Sequence, residues 1–265
     1  MDYRGYDSAG LAVLENGHLT RHLSPGKLDN LASVIASIKM HSTTGIGHTR
    51  WATHGRPVEE NAHPHTDCHQ KVAVIHNGII ENYLELRQKL MNSGHTFVSE
   101  TDTEVIAHLI EIHLAKLSLA DAVRKTCQEL RGSYAIAAIT VGHPEIVAAR
   151  RGSPLIVGVG QGEAFLASDI PALLPHTRQM IPLEDEEMVT LHDGRADFAQ
   201  IKTGKPVKKQ PLMITWDPVT AEKGGFKHFM LKEIHEQSRA VEDTLRGRLG
   251  AKDVVLDQLA ISDAT

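Results

Sequence analysis

Apolar and polar residues along the chain follow two periodic patterns, one typical of helices and one typical of strands. Apolar residues three or four positions apart predict amphipathic helices over residues 28–38, 82–91, 105–110 and 119–130, and a further helix at 228–245. Short apolar runs bounded by turn residues predict strands at 44–47, 71–80, 134–141, 145–149, 154–159 and 163–167, and a hairpin of strands 188–192 and 195–201 around Asp193-Gly194. Strands at such short spacing favour an antiparallel sheet, so the pattern predicts an α+β domain.

The first two strands are predicted on either side of Asn16-Gly17, over residues 7–14 and 18–23. Asn-Gly between two extended runs is a strong hairpin signal. Because β structure begins almost at the first residue, we expect that a segment preceding it is missing.

The stretch from Gly47 to Gly55 places an arginine, a tryptophan and two histidines between two glycines. It is too polar for a core strand and is predicted to be a loop that covers a ligand. Arg50 offers a planar pair of donors that fits a carboxylate, and Trp51 offers a rigid lid. The alternative is a surface loop whose tryptophan fills a local gap.

Asn77-Gly78 interrupts a predicted apolar strand, which indicates a bulge or a close backbone approach by a ligand. A side-chain amide beside an unobstructed backbone N–H is the donor pair of an oxyanion hole. Asp102 is predicted near a helix N-terminus, where it either holds an ammonium group or simply caps the helix. With Arg50 on a carboxylate, these residues suit acyl transfer from an amino-acid amide, for which the pattern supplies no nucleophile.

A metal site is the first competing hypothesis, because residues 63–69 contain three histidines, Asp67 and Cys68, with His48, His54 and His76 nearby. Helical His-Glu-x-x-His and paired Cys-x-x-Cys spacings are lacking, and Pro64 forces an extended loop. Histidines that hydrogen-bond a loop together are the simpler interpretation.

Nucleophilic catalysis by a cysteine is the second competing hypothesis. Cys68 has histidines nearby in the sequence, but nothing in the pattern predicts an oxyanion hole beside it. Cys127 is in helical register with Val123 and Leu130 and is predicted to pack in the core.

Composition narrows the functional classes. A net charge of -5 and a pI of about 6.4 provide no electrostatic basis for binding nucleic acid or an anionic membrane surface. The sequence has no apolar run long enough to span a bilayer, and its first residues do not resemble a signal peptide. We therefore expect a soluble, cytoplasmic protein without nucleic-acid or membrane partners.

Seven motifs carry a family resemblance over nearly the full chain. The chain resembles the glutaminase part of the glucosamine-6-phosphate synthases, which are glutamine–fructose-6-phosphate aminotransferases. The resemblance implies an N-terminal-nucleophile hydrolase fold, a four-layer α-β-β-α arrangement with two antiparallel sheets, and it implies no cofactor and no metal. The motifs are Tyr3-Arg-Gly-Tyr-Asp-Ser-Ala-Gly10, Gly47-His-Thr-Arg-Trp-Ala-Thr-His-Gly55, Asn61-Ala-His-Pro-His65, His76-Asn-Gly-Ile-Ile-Glu-Asn82, Ser99-Glu-Thr-Asp-Thr-Glu-Val105, Arg131-Gly-Ser-Tyr134 and His228-Phe-Met-Leu-Lys-Glu-Ile234.

The catalytic roles follow from the resemblance. A cysteine at the mature N-terminus attacks the side-chain amide of glutamine, and its own α-amine serves as the base. Asn77 and Gly78 form the oxyanion hole, and Arg4 steadies the terminal amine.

The substrate roles follow in the same way. Arg50 and Asp102 bind the carboxylate and the amine of glutamine, and Thr53 and His54 lie in the loop that closes over it. Trp51 corresponds to the residue that gates ammonia passage to a second domain.

The sequence departs from this family at both ends. It begins at Met1-Asp2, so the resemblance implies that the opening strand and the nucleophilic cysteine are missing, and neither Cys68 nor Cys127 corresponds to that cysteine. Residues 1–202 are predicted to form the amidotransferase domain. Residues 203–265 are predicted to be the interdomain linker and the start of a sugar-isomerase region that is otherwise missing.

These departures limit the expected activity of the chain alone. Fructose-6-phosphate would be bound only through the missing isomerase domain, and the homodimer is expected of the full-length family member. We expect this chain neither to hydrolyse glutamine efficiently nor to make glucosamine-6-phosphate. The alternative is a non-catalytic module that still binds glutamine.

Overall fold

A computed structural model describes residues 6–51, 56, 58–215, 226 and 228–245, and the chain divides into two compact units, Met1–Thr215 and Trp216–Thr265. The strands are β1 (Ser8–Glu15), β2 (His18–Pro25), β3 (Thr44–Arg50), β4 (His65–Thr66), β5 (Val72–Ile80), β6 (Gly132–Thr140), β7 (His143–Arg151), β8 (Ile156–Val159), β9 (Ala164–Ala167), β10 (Gln179–Pro182), β11 (Glu187–His192), β12 (Arg195–Gln200), β13 (Pro206–Val207) and β14 (Leu212–Met213). The helices are α1 (Leu28–Ile35), α2 (Tyr83–Asn92), α3 (Glu104–Leu114), α4 (Leu119–Glu129) and α5 (Phe229–Leu245), and short 3-10 turns lie at Glu59–Asn61 and Ile170–Ala172.

The predicted hairpin at Asn16-Gly17 is confirmed. Both residues have positive φ angles, 51° and 77°, as a tight turn between twisted antiparallel strands requires. β3 pairs with the other side of β1, giving a three-stranded sheet in the order β2-β1-β3. Since β3 runs from Thr44 through Arg50, the prediction that the loop begins at Gly47 is wrong: the backbone of these polar residues is paired with β1.

β5 lies between β4 and β6 in a seven-stranded antiparallel sheet of order β13-β12-β11-β7-β6-β5-β4. It pairs with β6 without a break, with Asn77 opposite Ala135 and Gly78 opposite Tyr134, so the predicted bulge is wrong. The predicted approach of a ligand to this backbone stays a prediction. Gly78 has φ 131°, and a Cβ there would lie 2.0 Å from the carbonyl oxygen of Ser133. The close backbone approach at this glycine is made by the neighbouring strand.

The seven-stranded sheet buries both of its faces. On one face, apolar residues of α2, α3 and α4 such as Leu86, Ile106 and Val123 pack against β5, β6 and β7. On the other face lie residues of the two smaller sheets, among them Ile46 and Val157. Cys127 belongs to the helical side of this core, as predicted. Burial on both faces explains the nearly continuous apolar character of β6.

The predicted α+β class with antiparallel sheets is confirmed, with one refinement. The layer opposite the seven-stranded sheet is divided into the three-stranded sheet and a four-stranded sheet of order β14-β10-β8-β9. α1 packs against β1 and β2, so helices contact both sheet layers.

Four short strands were not predicted from the sequence: β4, β10, β13 and β14. Each has only two to four residues, too few to show an alternating pattern. β13 pairs with β12, and β14 pairs with β10, so part of the segment predicted to be linker adds to the sheets of the first unit, which extends to Thr215. In the second unit, the described residues contain α5, which agrees with the predicted helix at 228–245.

Gly10 on β1 allows a close packing contact with the segment that carries the clustered histidines. A Cβ at this position would lie 2.0 Å from the carbonyl oxygen of His63 and 2.6 Å from Leu23 Cδ2. We expect Gly10→Ala to lower the free energy of unfolding by about 1–3 kcal/mol through overpacking. Thermal unfolding measures this loss as about 2–4 °C in Tm per kcal/mol.

Gly47→Ala is the matched control, because Gly47 lies on the adjacent strand and is paired with Leu11. A Cβ there has its nearest neighbour, the Gly10 carbonyl oxygen, at 3.6 Å, which is ordinary van der Waals contact. An equal loss of stability in the two variants would contradict the packing explanation.

Candidate functional site

Arg50, the last residue of β3, is buried although it carries a charge, with 4% of its surface exposed. Its Nη1 lies 3.7 Å from Asp7 Oδ1 and donates a 3.4 Å hydrogen bond to the Arg56 carbonyl oxygen. Burial lowers the pKa of Arg50, while the charges of Asp7 and Asp102 oppose that shift. An arginine remains protonated under such conditions, so the site contains a fixed cation.

Asp102 lies in the connection just before α3 and is also buried, with 5% exposed. Its Oδ2 accepts a 2.8 Å hydrogen bond from the backbone N–H of Ile80, at the end of β5. α3 begins at Glu104, and its capping residue is Thr103, whose side chain makes no capping bond. The alternative that Asp102 is a plain helix cap is therefore wrong. This carboxylate holds the connection before α3 against the strand that carries Asn77.

Asn77 is exposed, and its amide is oriented by a histidine of the neighbouring sheet. Asn77 Oδ1 lies 2.8 Å from Nε2 of His48, two residues before Arg50 on β3. Burial lowers the pKa of His48, which favours a neutral imidazole whose Nε2–H donates to the amide oxygen. The NH₂ group of Asn77 then remains as a donor for a ligand.

Three further histidines pack behind His48. The His63 ring stacks on His48 with centroids 4.4 Å apart and meets His65 edge-on at 4.7 Å. His63 Nδ1 accepts a 3.3 Å hydrogen bond from the backbone N–H of His76. The interpretation that these histidines hydrogen-bond a loop together agrees with this geometry.

Two threonine hydroxyls bind this histidine group to the connection before α3. His76 Nδ1 lies 2.9 Å from Thr103 Oγ1, and His65 Nε2 lies 3.0 Å from Thr101 Oγ1. Burial lowers the pKa of His76 to about 4 and that of His65 to about 3. The histidines are therefore neutral near pH 7 and pair with neutral hydroxyls.

Other residues predicted for the site are only partly described. Arg4, Thr53 and His54 lie outside the described residues, so their predicted roles are not tested. Trp51 is described and is 65% exposed. Its gating role also stays a prediction.

The sequence analysis missed the partners of the predicted residues. Asp7 belongs to a quoted motif, but nothing in the sequence pairs it with Arg50, 43 positions later. Likewise, Asn61 donates 3.0 and 3.3 Å hydrogen bonds to the Arg56 carbonyl oxygen and to Glu100 Oε2. Asp7 and Arg50, and likewise Asn61 and Glu100, are distant in sequence, and a periodicity argument has no signal for their contacts.

The two cysteines lie apart from this group of residues. Cys127 is fully buried, and burial raises the pKa of its thiol to about 12, which excludes it as a thiolate nucleophile near neutral pH. Cys68 is exposed, and its sulfur contacts His95, Thr96 and His108. None of these residues contacts Arg50, Asn77 or Asp102 through a described hydrogen bond.

A cavity of about 860 Å³ opens elsewhere, beside α4, β12 and β13. Its lining includes Arg124, Phe198 and Lys209 but neither Arg50, Asn77 nor Asp102. This cavity and the candidate site around Arg50, Asn77 and Asp102 therefore lie in different parts of the structure.

The family model and the relatives that match this sequence belong to one group of proteins. A family model described as "Glutamine amidotransferase domain" matches residues 48–175. A glutamine–fructose-6-phosphate aminotransferase [isomerizing] of Aquifex aeolicus is 52% identical over 256 residues, which cover 96% of this chain and 43% of that protein. The corresponding protein of Symbiobacterium thermophilum is 50% identical over 267 residues, covering 100% of this chain and 44% of that protein. The chain thus spans less than half the length of these curated relatives.

Solved structures show the same fold. A glutamine phosphoribosylpyrophosphate amidotransferase from B. subtilis, complexed with ADP and GMP, superposes with a TM-score of 0.64 at 28% identity, covering 76% of this chain and 44% of that one. A structure described as the allosteric regulatory enzyme of purine biosynthesis gives a TM-score of 0.63 at 27% identity, with the same coverage. The predicted N-terminal-nucleophile hydrolase fold is confirmed.

Within the part of the chain that the structure describes, no helix has both the length and the apolar character needed to cross a bilayer.

The buried histidines predict sensitivity to acid. In the unfolded chain a histidine titrates near its ordinary pKa of 6.5, whereas in the folded chain His76 and His65 titrate at about 4 and about 3. As the pH falls below 6.5, the unfolded state therefore binds more protons, and the free energy of unfolding falls. We expect a loss approaching about 1.4 kcal/mol per pH unit for each of these histidines between pH 6 and about 4.

Urea unfolding at a series of pH values from 7.5 to about 4.5 measures this slope. His65→Gln, which keeps a polar group near Thr101, should reduce it, while His18→Gln, at an exposed histidine of the β1–β2 hairpin, should leave it unchanged. Stability that stays constant over this range would contradict the assignment of these histidines as buried and neutral.

Proposed function

Because the chain belongs to the glutamine amidotransferase family, we propose that it is the glutaminase part of a glutamine–fructose-6-phosphate aminotransferase. The observation that carries the proposal is the convergence of Arg50, Asp102 and the oriented amide of Asn77. These groups match the charges of a free amino acid and the anion that forms when its side-chain amide is attacked.

Recognition of glutamine rests on two opposite charges in a buried setting. The α-carboxylate accepts hydrogen bonds from the Arg50 guanidinium, whose orientation is supported by Asp7 at 3.7 Å. The α-ammonium binds Asp102. A carboxylate has two oxygens, so Asp102 Oδ1 serves the ligand while Oδ2 keeps its bond to Ile80.

The hydrolytic step requires a thiolate that attacks the side-chain amide carbon of glutamine. Electrons move from the C=O bond onto oxygen, and Asn77 NH₂ and the Gly78 backbone N–H donate to the resulting anion. The C–N bond then breaks, the nitrogen takes a proton and leaves as ammonia, and water releases glutamate from the thioester. The resemblance assigns the thiol to a cysteine at the mature N-terminus.

His48 is the positioning residue in this proposal. By donating to Asn77 Oδ1 it directs the amide NH₂ toward the substrate, and its neutral state keeps a second positive charge from competing for the glutamine carboxylate. Positioned amide donors are effective because they need no reorganisation when charge develops.

The activity of the whole protein is proposed from its relatives. Their names state that they act on fructose-6-phosphate, so the ammonia would be transferred to that sugar by the region that this chain does not span. Trp51 would gate this passage, Thr53 and His54 would close over glutamine, and Arg4 would steady the terminal amine. A cytoplasmic homodimer is proposed for the full-length protein.

Replacement of Asp102 tests substrate recognition. Asp102→Asn keeps an oxygen that can accept from Ile80 N–H but removes the charge that faces the α-ammonium. Losing one partner of a buried charge pair costs about 2–5 kcal/mol, so we expect the Kd for glutamine to rise at least about 30-fold. Isothermal titration calorimetry of the purified chain measures it.

Asp121→Asn is the matched control, because Asp121 pairs with Arg124 at 3.1 Å on the surface of α4. It should leave the Kd unchanged. If Asp102→Asn bound glutamine as tightly as the parent chain, Asp102 would not be the ammonium ligand.

Replacement of Asn77 tests the oxyanion hole in a glutaminase assay of the chain extended by a cysteine-led opening strand and helix. We expect Asn77→Ala to lower kcat by about 10²–10³-fold with little change in KM, because the lost donor acts mainly on the transition state. Asn92→Ala, at the exposed end of α2, is the control and should keep full activity.

The same assay identifies the nucleophile. Activity only in the extended chain supports the proposal. Comparable activity in the unextended chain would mean that another thiol, with Cys68 the first candidate, does the chemistry, and the assigned roles would then be wrong.

A further inference from the structure

Four side chains that the proposed function does not use converge on one point. Cys68 lies in the turn between β4 and β5, and His95 follows α2. His108 and Glu111, three residues apart on α3, share one face of that helix. One ligand atom from each of the four lies within 4.8 Å of all the others.

Five of the six distances between these atoms are close to the edges of a tetrahedron around a metal ion. Cys68 Sγ lies 3.7 Å from His95 Nδ1 and 3.6 Å from His108 Nδ1, and the two nitrogens are 3.3 Å apart. Glu111 Oε2 lies 3.1 Å from His95 Nδ1 and 3.6 Å from His108 Nδ1. Zinc bonds of about 2.3 Å to sulfur and about 2.0–2.1 Å to nitrogen and oxygen give edges of about 3.3–3.6 Å in a regular tetrahedron.

The arrangement has a chemical reason to hold a cation. Two imidazole nitrogens and a sulfur face one another, and a neutral imidazole has a single N–H to share between its two nitrogens. Glu111 Oε2 is buried without a hydrogen bond among the described residues. A cation placed between these atoms would satisfy the lone pairs of all four groups. Nitrogen, thiolate and carboxylate ligands together suit Zn²⁺.

Neighbouring groups support each side chain from outside the cluster. The second nitrogen of His108, Nε2, makes no hydrogen bond among the described residues and lies 3.6 Å from Glu104 Oε1, near the carboxylate–histidine arrangement that orients metal-bound imidazoles. Glu104 is itself fixed by a 2.8 Å hydrogen bond from Val98 N–H and a 2.7 Å bond from Ser99 N–H.

The sulfur and the carboxylate have similar support. The backbone N–H of Thr96 donates to Cys68 Sγ at 3.4 Å and so fixes the position of the sulfur. Glu111 Oε1 lies 3.6 Å from His69 Nε2. The turn that carries Cys68 is held by Asp67, whose Oδ1 accepts from Lys71 and Val72 N–H at 2.7 Å each.

We propose that Cys68, His95, His108 and Glu111 form a four-ligand structural zinc site. Four protein ligands leave no open position for a substrate, so the ion has a structural role. It joins the β4–β5 turn and the segment after α2 to the middle of α3, the helix that follows Asp102. The proposal is independent of the glutaminase assignment, since none of the four residues is placed in the glutamine site.

The residues nearest to Cys68 in the sequence are not its partners in the proposed metal site. Its histidine neighbours in sequence, His63 and His65, bond to Thr103 and Thr101, whereas the thiol faces residues 27 and 40 positions later. Four ligands on three separate segments produce no recognisable sequence motif.

Metal analysis of the complete chain tests the proposal. The protein is expressed in medium supplemented with zinc, purified and desalted, and its metal content is measured by inductively coupled plasma mass spectrometry. We expect one zinc per chain. Cys68→Ser and His95→Gln should each lose most of it, while His113→Gln should retain it. His113 is the matched control because it lies on the same helix and pairs with Glu129 at 2.8 Å.

Cobalt substitution supplies a second measurement that needs no variant to fold. Co²⁺ in a tetrahedral site with one thiolate should give intense visible d–d bands and a sulfur-to-cobalt charge-transfer band in the near ultraviolet. Circular dichroism confirms that each variant used is folded.

Two results would overturn the proposal. The first is zinc content in the parent chain that is far below one equivalent or is retained equally by folded Cys68→Ser and His95→Gln. The second is a cobalt spectrum of the parent chain that shows octahedral coordination or no thiolate band.

Discussion

The buried guanidinium of Arg50 is the constraint on which the rest of the candidate site depends. A charge removed from water is costly unless opposite charges and acceptors surround it. Asp7, Asp102 and the Arg56 carbonyl oxygen provide that surrounding here, and each comes from a different part of the chain. Because the buried charge of Arg50 needs these three groups, it positions β1, the connection before α3 and the segment after β3 around the same point.

The second requirement is that the polar interior next to Arg50 remains uncharged. His48, His63, His65 and His76 lie behind the arginine, and burial lowers the pKa of each of them. Threonine hydroxyls and a backbone N–H complete their hydrogen bonds without adding charge. A neutral His48 is also what orients the Asn77 amide, so the electrostatic state of the interior and the geometry of this amide have one cause.

Much of the fold is predictable from local pattern, and most of the site is not. The hairpin at Asn16-Gly17 and the helices follow from turn chemistry and from apolar spacing. β3 continues through polar Arg50 because β1 satisfies its backbone, and β5 continues through Gly78 because β6 occupies the space beside it. The lengths of β3 and β5 thus depend on pairing with strands that are far away in sequence, so local periodicity does not predict them.

The ion pair between Asp7 and Arg50 also has a consequence for how the chain is made. Both residues emerge from the ribosome within the first part of synthesis, whereas Asp102 follows 52 positions after Arg50. At about 5–20 residues per second, about 3–10 s pass between the synthesis of Arg50 and that of Asp102. Before Asp102 is made, one of the two carboxylates near the guanidinium is absent, so burying Arg50 would cost more free energy than it does in the finished fold.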